Sequence, residues 1–478
     1  MKKLPLGIHT FKKLIENNYL YVDKTEYIYQ IATEGSVYFL SRPRRFGKSL
    51  TISTLGSLFE GEKELFKGLY IYDQPWDWKK WPVLRFDFSI FSEIHEPEVL
   101  ETHITETIQS YANTYNIILA KTGYEKRFQE LLENLPDKAV ILIDEYDKPI
   151  LNYITDPVKA NKAKEILKGF YTVIKGSDAH VRFAFLTGVT KFARISVFSG
   201  LNNLTDLTMK EAYADLCGYT EEELDRYFGK SFSTIAKELN LLEKELREKI
   251  REWYNGFRFS SNSVQMYNPI SILNFISDRR FKAYWFETGT PTFLTQLMKK
   301  EGFAPNKLEE LSCPSSAFST YDVENLKALP ILFQSGYLTI KEYQENRDSY
   351  LLGFPNREVR SAFLESLLME FGKNAGSDDY PLYRLEDSLK NYDLESFFEN
   401  LDILFAKIPY DIHLPYEKYW QSLFYMIFTL MGYYIEAEYR TSRGRIDAFI
   451  SMPDRVYLFE FKLVGKKTKG AEELLEEA

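Results

Sequence analysis

The chain has 478 residues, of which 45% are hydrophobic and 27% charged, and a formal net charge of −9. That length exceeds one ordinary core and points to about three domains, while the composition excludes a disordered chain and the acidic balance excludes a generally basic surface. Two cysteines far apart and five histidines with no pair at ligand spacing exclude a disulfide framework and a zinc site, the N-terminus carries no apolar core of signal-sequence length, and the longest apolar stretch, Trp420 to Ile435, is too short for a membrane span.

Taken in order, Gly7–Ile15, Tyr21-Val-Asp-Lys-Thr25 and Tyr27–Ile31 predict a short helix, an extended stretch and a second helix, which Asp23 and Thr25 can cap. The apolar run Val37-Tyr-Phe-Leu40 predicts a buried strand. Ser41-Arg-Pro-Arg-Arg-Phe-Gly-Lys-Ser49 follows it and leads into a helix beginning near Leu50. A turn between a buried strand and a helix is where a phosphate loop lies: backbone N–H groups face the phosphates, a lysine reaches their outer oxygens, and a Ser or Thr hydroxyl holds Mg²⁺. Gly47, Lys48 and Ser49 supply the second half of that motif, whereas Arg42 replaces its leading glycine. On these residues alone a basic loop that happens to contain Gly-Lys-Ser stays open. The nucleotide contacts expected here are Arg45, Phe46, Gly47, Lys48, Ser49 and Leu50, with Ser49 also a metal ligand. Any nucleic-acid contact would run through local basic patches such as Arg42–Arg45 or Lys462–Lys469.

A helix to about Phe59, an aromatic connector from Tyr70 to Trp81, a strand over Val83–Phe88 and a helical stretch from Glu98 to about Leu135 lead to Ala139-Val-Ile-Leu-Ile-Asp-Glu-Tyr-Asp147. An unbroken apolar strand is buried on both faces, as in a parallel α/β sheet, where ligands sit at the strand C-terminal ends. Asp144 is placed to hold the Mg²⁺ shell and Glu145 to take a proton from an attacking water. A further buried strand, Val181–Gly188, ends near Thr187, which either senses the terminal phosphate or serves a turn. Arg194 is a candidate for transition-state charge, although a loop arginine more often does nothing catalytic. Alternating helices and strands predict an α/β, doubly wound parallel sheet over residues 1–207.

Arg42–Ser49, Tyr21–Thr25, Asp144–Asp147 and Phe198-Ser-Gly-Leu-Asn-Asn-Leu204, extended by Trp253–Phe259, Tyr267–Ser271 and Tyr284–Gly289, together resemble the bacterial and archaeal AAA-ATPase-like family. The resemblance implies a P-loop ATPase core, and in that family the loop itself carries the arginine in place of glycine. It also implies a PD-(D/E)xK nuclease-like domain at the C-terminus, and a role in defence against foreign DNA.

Residues 208–375 read as a helical lid, with helices over Thr220–Leu239 and Leu241–Tyr254, an αL-compatible Asn-Gly turn at Asn255-Gly256 and a helix start at Asn268-Pro269. From Leu329 a helix, a hairpin and a helix at Asn356–Phe371 suit a winged-helix module, whose balanced charges favour a lid over a DNA reader. The turn-rich Gly376–Pro381 marks a second boundary, so 376–478 is the third expected domain. Within it, Glu417–Met431 reads as a helix, and the apolar stretch from Trp420 to Ile435 as buried helix.

Gly444–Lys462 reads as two strands joined by a turn at Met452–Arg455. Strand alternation puts Glu460 and Lys462 on one side, where Asp447 can face them across the hairpin. Two carboxylates and a lysine suit metal-assisted phosphodiester hydrolysis, with Asp447 and Glu460 as metal ligands and Lys462 activating water, although Glu-x-Lys alone is common on edge hairpins. The resemblance names this catalytic set and adds Glu417 as an accessory acid. No strand follows the terminal helix at Ala471–Ala478, so the restriction-endonuclease-like domain is expected to be incomplete, with an exposed sheet edge.

The expectation is therefore an ATP- and Mg²⁺-using ATPase in a reducing cytoplasm, with no membrane partner, whose nucleotide state controls a nuclease-like domain acting on nucleic acid. The alternative is a nucleotide-gated scaffold with little turnover. Self-association, with an arginine from a neighbouring subunit, stays open.

Overall fold

The computed structural model describes residues 2–93, 96–153, 156–190, 204–285, 308, 311–318, 328–371, 381–406, 424–429, 434–440, 445–452 and 455–460. The chain forms two compact units, residues 1–285 with 312–357, and residues 286–311 with 358–478.

The first unit is built on five strands, β1 (Val37–Ser41), β2 (Val83–Asp87), β3 (Ala139–Asp144), β4 (Val181–Gly188) and β5 (Thr205–Asp206). They lie in the order β2-β3-β4-β1-β5, with every pairing parallel. β1 and β3 are buried at every position, which is why their sequences run apolar without alternation. Around the sheet pack α1 (Phe11–Glu16), α2 (Thr25–Glu34), α3 (Lys48–Phe59), α4 (Glu98–Thr114), α5 (Tyr124–Asn134), α6 (Lys148–Leu151) and α7 (Pro157–Gly176).

One large core joins Leu100, Ile104, Phe128 and Phe170 of α4, α5 and α7 to Phe86, Ile141 and Ile143 of the sheet. The helical stretch expected over residues 98–135 is two helices, broken where Asn116 and Gly123 take positive φ of 56° and 81°. β5 has no sequence signal, being two half-buried polar residues. It exists because the edge of β1 takes it up, Tyr38 opposite Thr205 and Phe39 opposite Asp206.

The strand order has a chemical consequence. β4 separates β1 from β3, so the loop after β1 and the acids after β3 stand two strand spacings apart, about 10 Å. That gap at the strand ends has room for a chain of phosphates.

In the same unit, α8 (Glu221–Glu238) opens on a reciprocal cap between Thr220 and Glu223, and α9 (Glu243–Tyr254) follows. α10 (Pro269–Asp278) starts where Asn268 accepts from the N–H groups of Ile270 and Ser271, as Asn-Pro predicts. At the Asn-Gly turn the glycine carries the strain, not the asparagine. Asn255 is extended, whereas Gly256 has φ 110° and faces the Pro355 carbonyl where a Cβ would stand. A helix over Ala328–Gln334 lies in the chain between β6 (Leu311–Pro314) and the hairpin of β7 (Thr339–Gln344) and β8 (Ser349–Gly353), and the three strands form a sheet ordered β6-β8-β7. The helix and hairpin match the winged-helix order, and β6 on their edge was not foreseen.

The second unit holds helices at Pro381–Lys390 and Leu394–Ala406, helical residues 424–429, and an antiparallel sheet. Its strands are β9 (Tyr434–Arg440), β10 (Arg445–Met452) and β11 (Arg455–Phe459), ordered β11-β10-β9 over a core that includes Leu385, Phe397, Phe424 and Ile450. The expectation of one buried helix through Ile435 is corrected. Tyr434 and Ile435 pair with Ser451 and Ile450 in β9. The segment Tyr-Ile-Glu-Ala-Glu-Tyr-Arg alternates with a period of two, and a neighbouring strand captures that pattern. Among the described residues no helix is long and apolar enough to cross a membrane.

Candidate active site at the strand ends

The loop between β1 and α3 turns through two left-handed residues, Arg45 at φ 65° and Gly47 at φ 105°. Gly47 is the N-cap of α3, and no side chain caps that end. The first N–H groups of a helix have no intrahelical partner, so those of Lys48, Ser49 and Leu50 are open to an anion. Lys48 is buried and donates to the carbonyls of Arg42 and Pro43 at 3.0 and 3.1 Å, folding its ammonium back over its own loop.

Arg42, the residue in place of the usual glycine, is 1% exposed. Its guanidinium donates to the carbonyls of Ser41 (2.9 Å), Thr208 (2.7 Å) and Tyr213 (2.9 Å) and lies 4.3 Å from the Phe259 ring centroid. Burial lowers it to about 10, which leaves it charged at neutral pH. Arg42 therefore drops out of the expected Arg42–Arg45 basic patch, because a guanidinium consumed by carbonyls inside the unit cannot meet nucleic acid. Arg45 is likewise engaged, donating to the Tyr284 carbonyl at 2.9 Å. Phe46 is a core side chain, 4.8 Å from Phe257 and 5.2 Å from Phe259 between ring centroids, so only its backbone faces the loop. Trp285 Nε1 donates to the Arg44 carbonyl at 3.0 Å, and Gly336 leaves Pro43 no more than glycine's space. Residues far along the chain thus clamp the loop from outside.

Across the gap, Asp144 ends β3 with one oxygen, Oδ1, accepting from the Glu145 N–H (3.1 Å) and the Thr187 hydroxyl. Thr187 is fully buried, and its hydroxyl fixes this carboxylate. Among the described residues neither Asp144 Oδ2 nor the Ser49 hydroxyl has a hydrogen-bond partner, which leaves both for a cation. No group of three His, Cys, Asp or Glu side chains forms a cage among the described residues. A Mg²⁺ that keeps waters and phosphate oxygens needs only one or two protein ligands, so the donor set fits.

Glu145 takes φ 51°, a left-handed conformation uncommon for a residue with a Cβ and concentrated at functional sites. Burial pushes its carboxyl above the usual range; Lys48 draws it back, and Asp147 and Asp144 push it further up. The sequence reading gave no task to Asp147, which is 1% exposed. Its Oδ2 accepts from the N–H groups of Val189 (3.0 Å) and Thr190 (2.6 Å) and from the Thr190 hydroxyl (2.7 Å). It ties the loop after β4 to the end of β3, and a third acid three residues after Asp144 was its only signal. Lys191 and Arg194 lie outside the described residues.

In the second unit, Met452 pairs with Arg455, confirming the hairpin, and Ala448 pairs with Phe459. One step further along the register, positions 447 and 460 stand opposite one another and share a face. Ala448 is buried, whereas Leu458 and Glu460 are exposed, so Glu460 lies on the face of β11 away from the core. Glu417 and Lys462 lie outside the described residues, as does Lys469.

Comparison with known proteins gives two matches along the chain. A family model described as a predicted AAA-ATPase matches residues 5–198, and one described as the PD-(D/E)XK nuclease superfamily matches residues 415–477. A protein of Azotobacter chroococcum mcd 1, described as an uncharacterized protein in the vnfD 5' region, is 41% identical over 477 residues. That alignment covers 97% of this chain and 90% of the relative. Among solved structures, the Aeropyrum pernix ORC1 protein in complex with DNA aligns at 12% identity over 76% of this chain and 94% of that one. Its TM-score of 0.24 is too low to support an argument.

Proposed function

This chain belongs to the AAA-ATPase-like family and carries a PD-(D/E)xK nuclease-superfamily domain toward its C-terminal end, and from that premise we propose that it binds and hydrolyses ATP and that its nucleotide state controls nucleic-acid cleavage. The observation that carries the reading is the uncapped N-terminus of α3, led by Lys48, standing at the strand ends two strand spacings from the acids that end β3. The triphosphate lies along the N–H groups from Arg45 to Leu50, and Lys48 exchanges its own loop's carbonyls for phosphate oxygens. Ser49 and Asp144 are the residues that would hold Mg²⁺, which when bound neutralises charge on the outer phosphates. Glu145 accepts a proton from the attacking water, while Thr187 keeps Asp144 in place. In the C-terminal domain, Asp447 and Glu460 are the metal-binding pair and Lys462 the water-activating lysine.

The test is ATP turnover and plasmid nicking by the full chain, with Mg²⁺, beside Lys48→Ala and Asp447→Asn. Lys48→Ala should weaken ATP binding by about 10²-fold and abolish turnover, since it removes a charge-assisted contact to phosphate. Asp447→Asn should abolish nicking and leave ATP turnover intact. ATP binding without turnover in the parent chain would instead support a nucleotide-gated scaffold, a reading favoured by the retracted position of Lys48.

A further inference from the structure

Glu145 holds φ 51°, and a residue with a Cβ stays in that left-handed region only where its surroundings over-determine the backbone. The turn after β3 meets that condition on both sides. On the N-terminal side, the Asp144 carboxylate is fixed by the Thr187 hydroxyl. On the C-terminal side, the Tyr146 N–H donates to the Thr187 carbonyl at 2.9 Å, and the Tyr146 hydroxyl donates to the Thr190 carbonyl at 2.9 Å. Asp147 adds the three bonds that its Oδ2 accepts from Val189 and Thr190.

Every one of these partners belongs to the short run from Thr187 to Thr190 at the end of β4. Gly188 lets the two segments approach, because a Cβ there would stand 2.6 Å from the Tyr146 ring and 2.7 Å from Asp147 Oδ1. The phosphate loop grips the same run from the opposite neighbour of β4, with the Arg42 N–H on the Gly188 carbonyl at 3.2 Å and the Ser41 hydroxyl on the Val189 carbonyl. Both lips of the gap are therefore bonded to one buried block. Asp147 is its charged member: burial pushes the carboxyl above the usual range, and the Thr190 hydroxyl and N–H draw it back. Three donors on one carboxylate oxygen fix direction as well as distance, which apolar packing does not.

We propose that Asp147 is the positioning residue for Glu145: by fastening Val189 and Thr190 to the turn after β3, it holds Glu145 in its left-handed backbone and aims that carboxylate at the water it activates. The inference rests on the reading of Glu145 as the base and adds the residue that makes the base effective. Asp147 acts through the backbone of its neighbour, since its own carboxylate is buried and engaged by the loop after β4. Released from these bonds, the turn would relax toward an ordinary backbone and carry Glu145 with it. A reacting group displaced by about 1 Å can cost about 10²-fold in rate, without any change in how tightly the nucleotide is held.

The test is single-turnover ATP hydrolysis by the full chain, with Mg²⁺, beside equilibrium titration with the non-hydrolysable triphosphate AMP-PNP, for the parent, Asp147→Asn, Glu145→Gln, these two combined, Thr190→Val and Thr190→Ser. Asp147→Asn should slow the chemical step by about 10- to 100-fold, with AMP-PNP affinity within about threefold of the parent. Added to Glu145→Gln it should cost less than about twofold more, because it acts only through a base that is already gone. Thr190→Val, which removes one of the three donors and keeps the bulk, should slow the step by about three- to tenfold, and Thr190→Ser should recover most of that loss. Two results would make Asp147 a strut of the fold and overturn the positioning role. One is full multiplication of the losses in the combined variant. The other is a parental rate per folded molecule in Asp147→Asn and Thr190→Val, with only a lower urea midpoint. A parental rate in Glu145→Gln would instead overturn the reading of Glu145 as the base, and the positioning role with it.

Discussion

Arg42→Gly, which writes the ordinary phosphate-loop glycine back into the chain, is expected to damage the protein instead of improving it. The guanidinium satisfies carbonyls of Ser41, Thr208 and Tyr213 in the interior and packs on Phe259. Removing it strands acceptors, each worth about 1–3 kcal/mol when left buried and unpaired. Two effects oppose that loss: the desolvation cost of a buried charge disappears, and water can enter part of the vacated volume. With three acceptors against those gains, we expect a net loss of about 3 kcal/mol, read as a fall in the urea midpoint of the first unit. ATP affinity should fall with it, because the loop's first residues are anchored through this side chain. Arg42→Lys should recover little, since one ammonium cannot reach carbonyls that a planar fork bridges. An unchanged midpoint with faster ATP turnover would show that the arginine is a tolerated substitution and not a strut.

Glu145→Gln is expected to leave ATP bound and unhydrolysed. The amide preserves shape and hydrogen bonding but cannot take a proton from water, so turnover should fall by about 10²-fold or more while affinity stays within about threefold. The geometry makes this residue the choice over its neighbours. Asp144 is tied by the Thr187 hydroxyl and the Glu145 N–H, and Asp147 is spent on Val189 and Thr190. Glu145 alone of the three is half-exposed, and it is held in a left-handed conformation. Single-turnover measurement of phosphate release, beside equilibrium titration, separates the two effects. Unchanged turnover in Glu145→Gln would move the base elsewhere.

Local chemistry made much of the site legible in the sequence. Apolar runs without alternation marked β1, β3 and β4 as buried parallel strands, and Gly47-Lys48-Ser49 and Asp144-Glu145 stood at strand ends because that is where short-range pattern changes from apolar to polar. The hairpin of β10 and β11 was readable for a similar reason: alternation and a turn are local. What depends on partners distant in sequence was not readable. β5 is two residues with no pattern of their own, and it is a strand only because β1 offers an edge. Tyr434 and Ile435 end an apolar stretch that favours helix by length, and they become part of β9 only beside β10.

The same division runs through the arginines. In sequence, Arg42, Arg44 and Arg45 are one basic patch of equal members. The tertiary structure sorts them by which carbonyls come within reach: those of Thr208 and Tyr213 claim Arg42, that of Tyr284 claims Arg45, and the Arg44 guanidinium has no hydrogen bond among the described residues. The sequence by itself determined which residue types stand at the ends of β1 and β3, because strand and turn propensities act over a few neighbours. Only the tertiary structure decided which of those charges is structural and which is free for a ligand. Satisfying a buried charge requires acceptors from segments more than a hundred and sixty residues away, and no local pattern encodes where they will be.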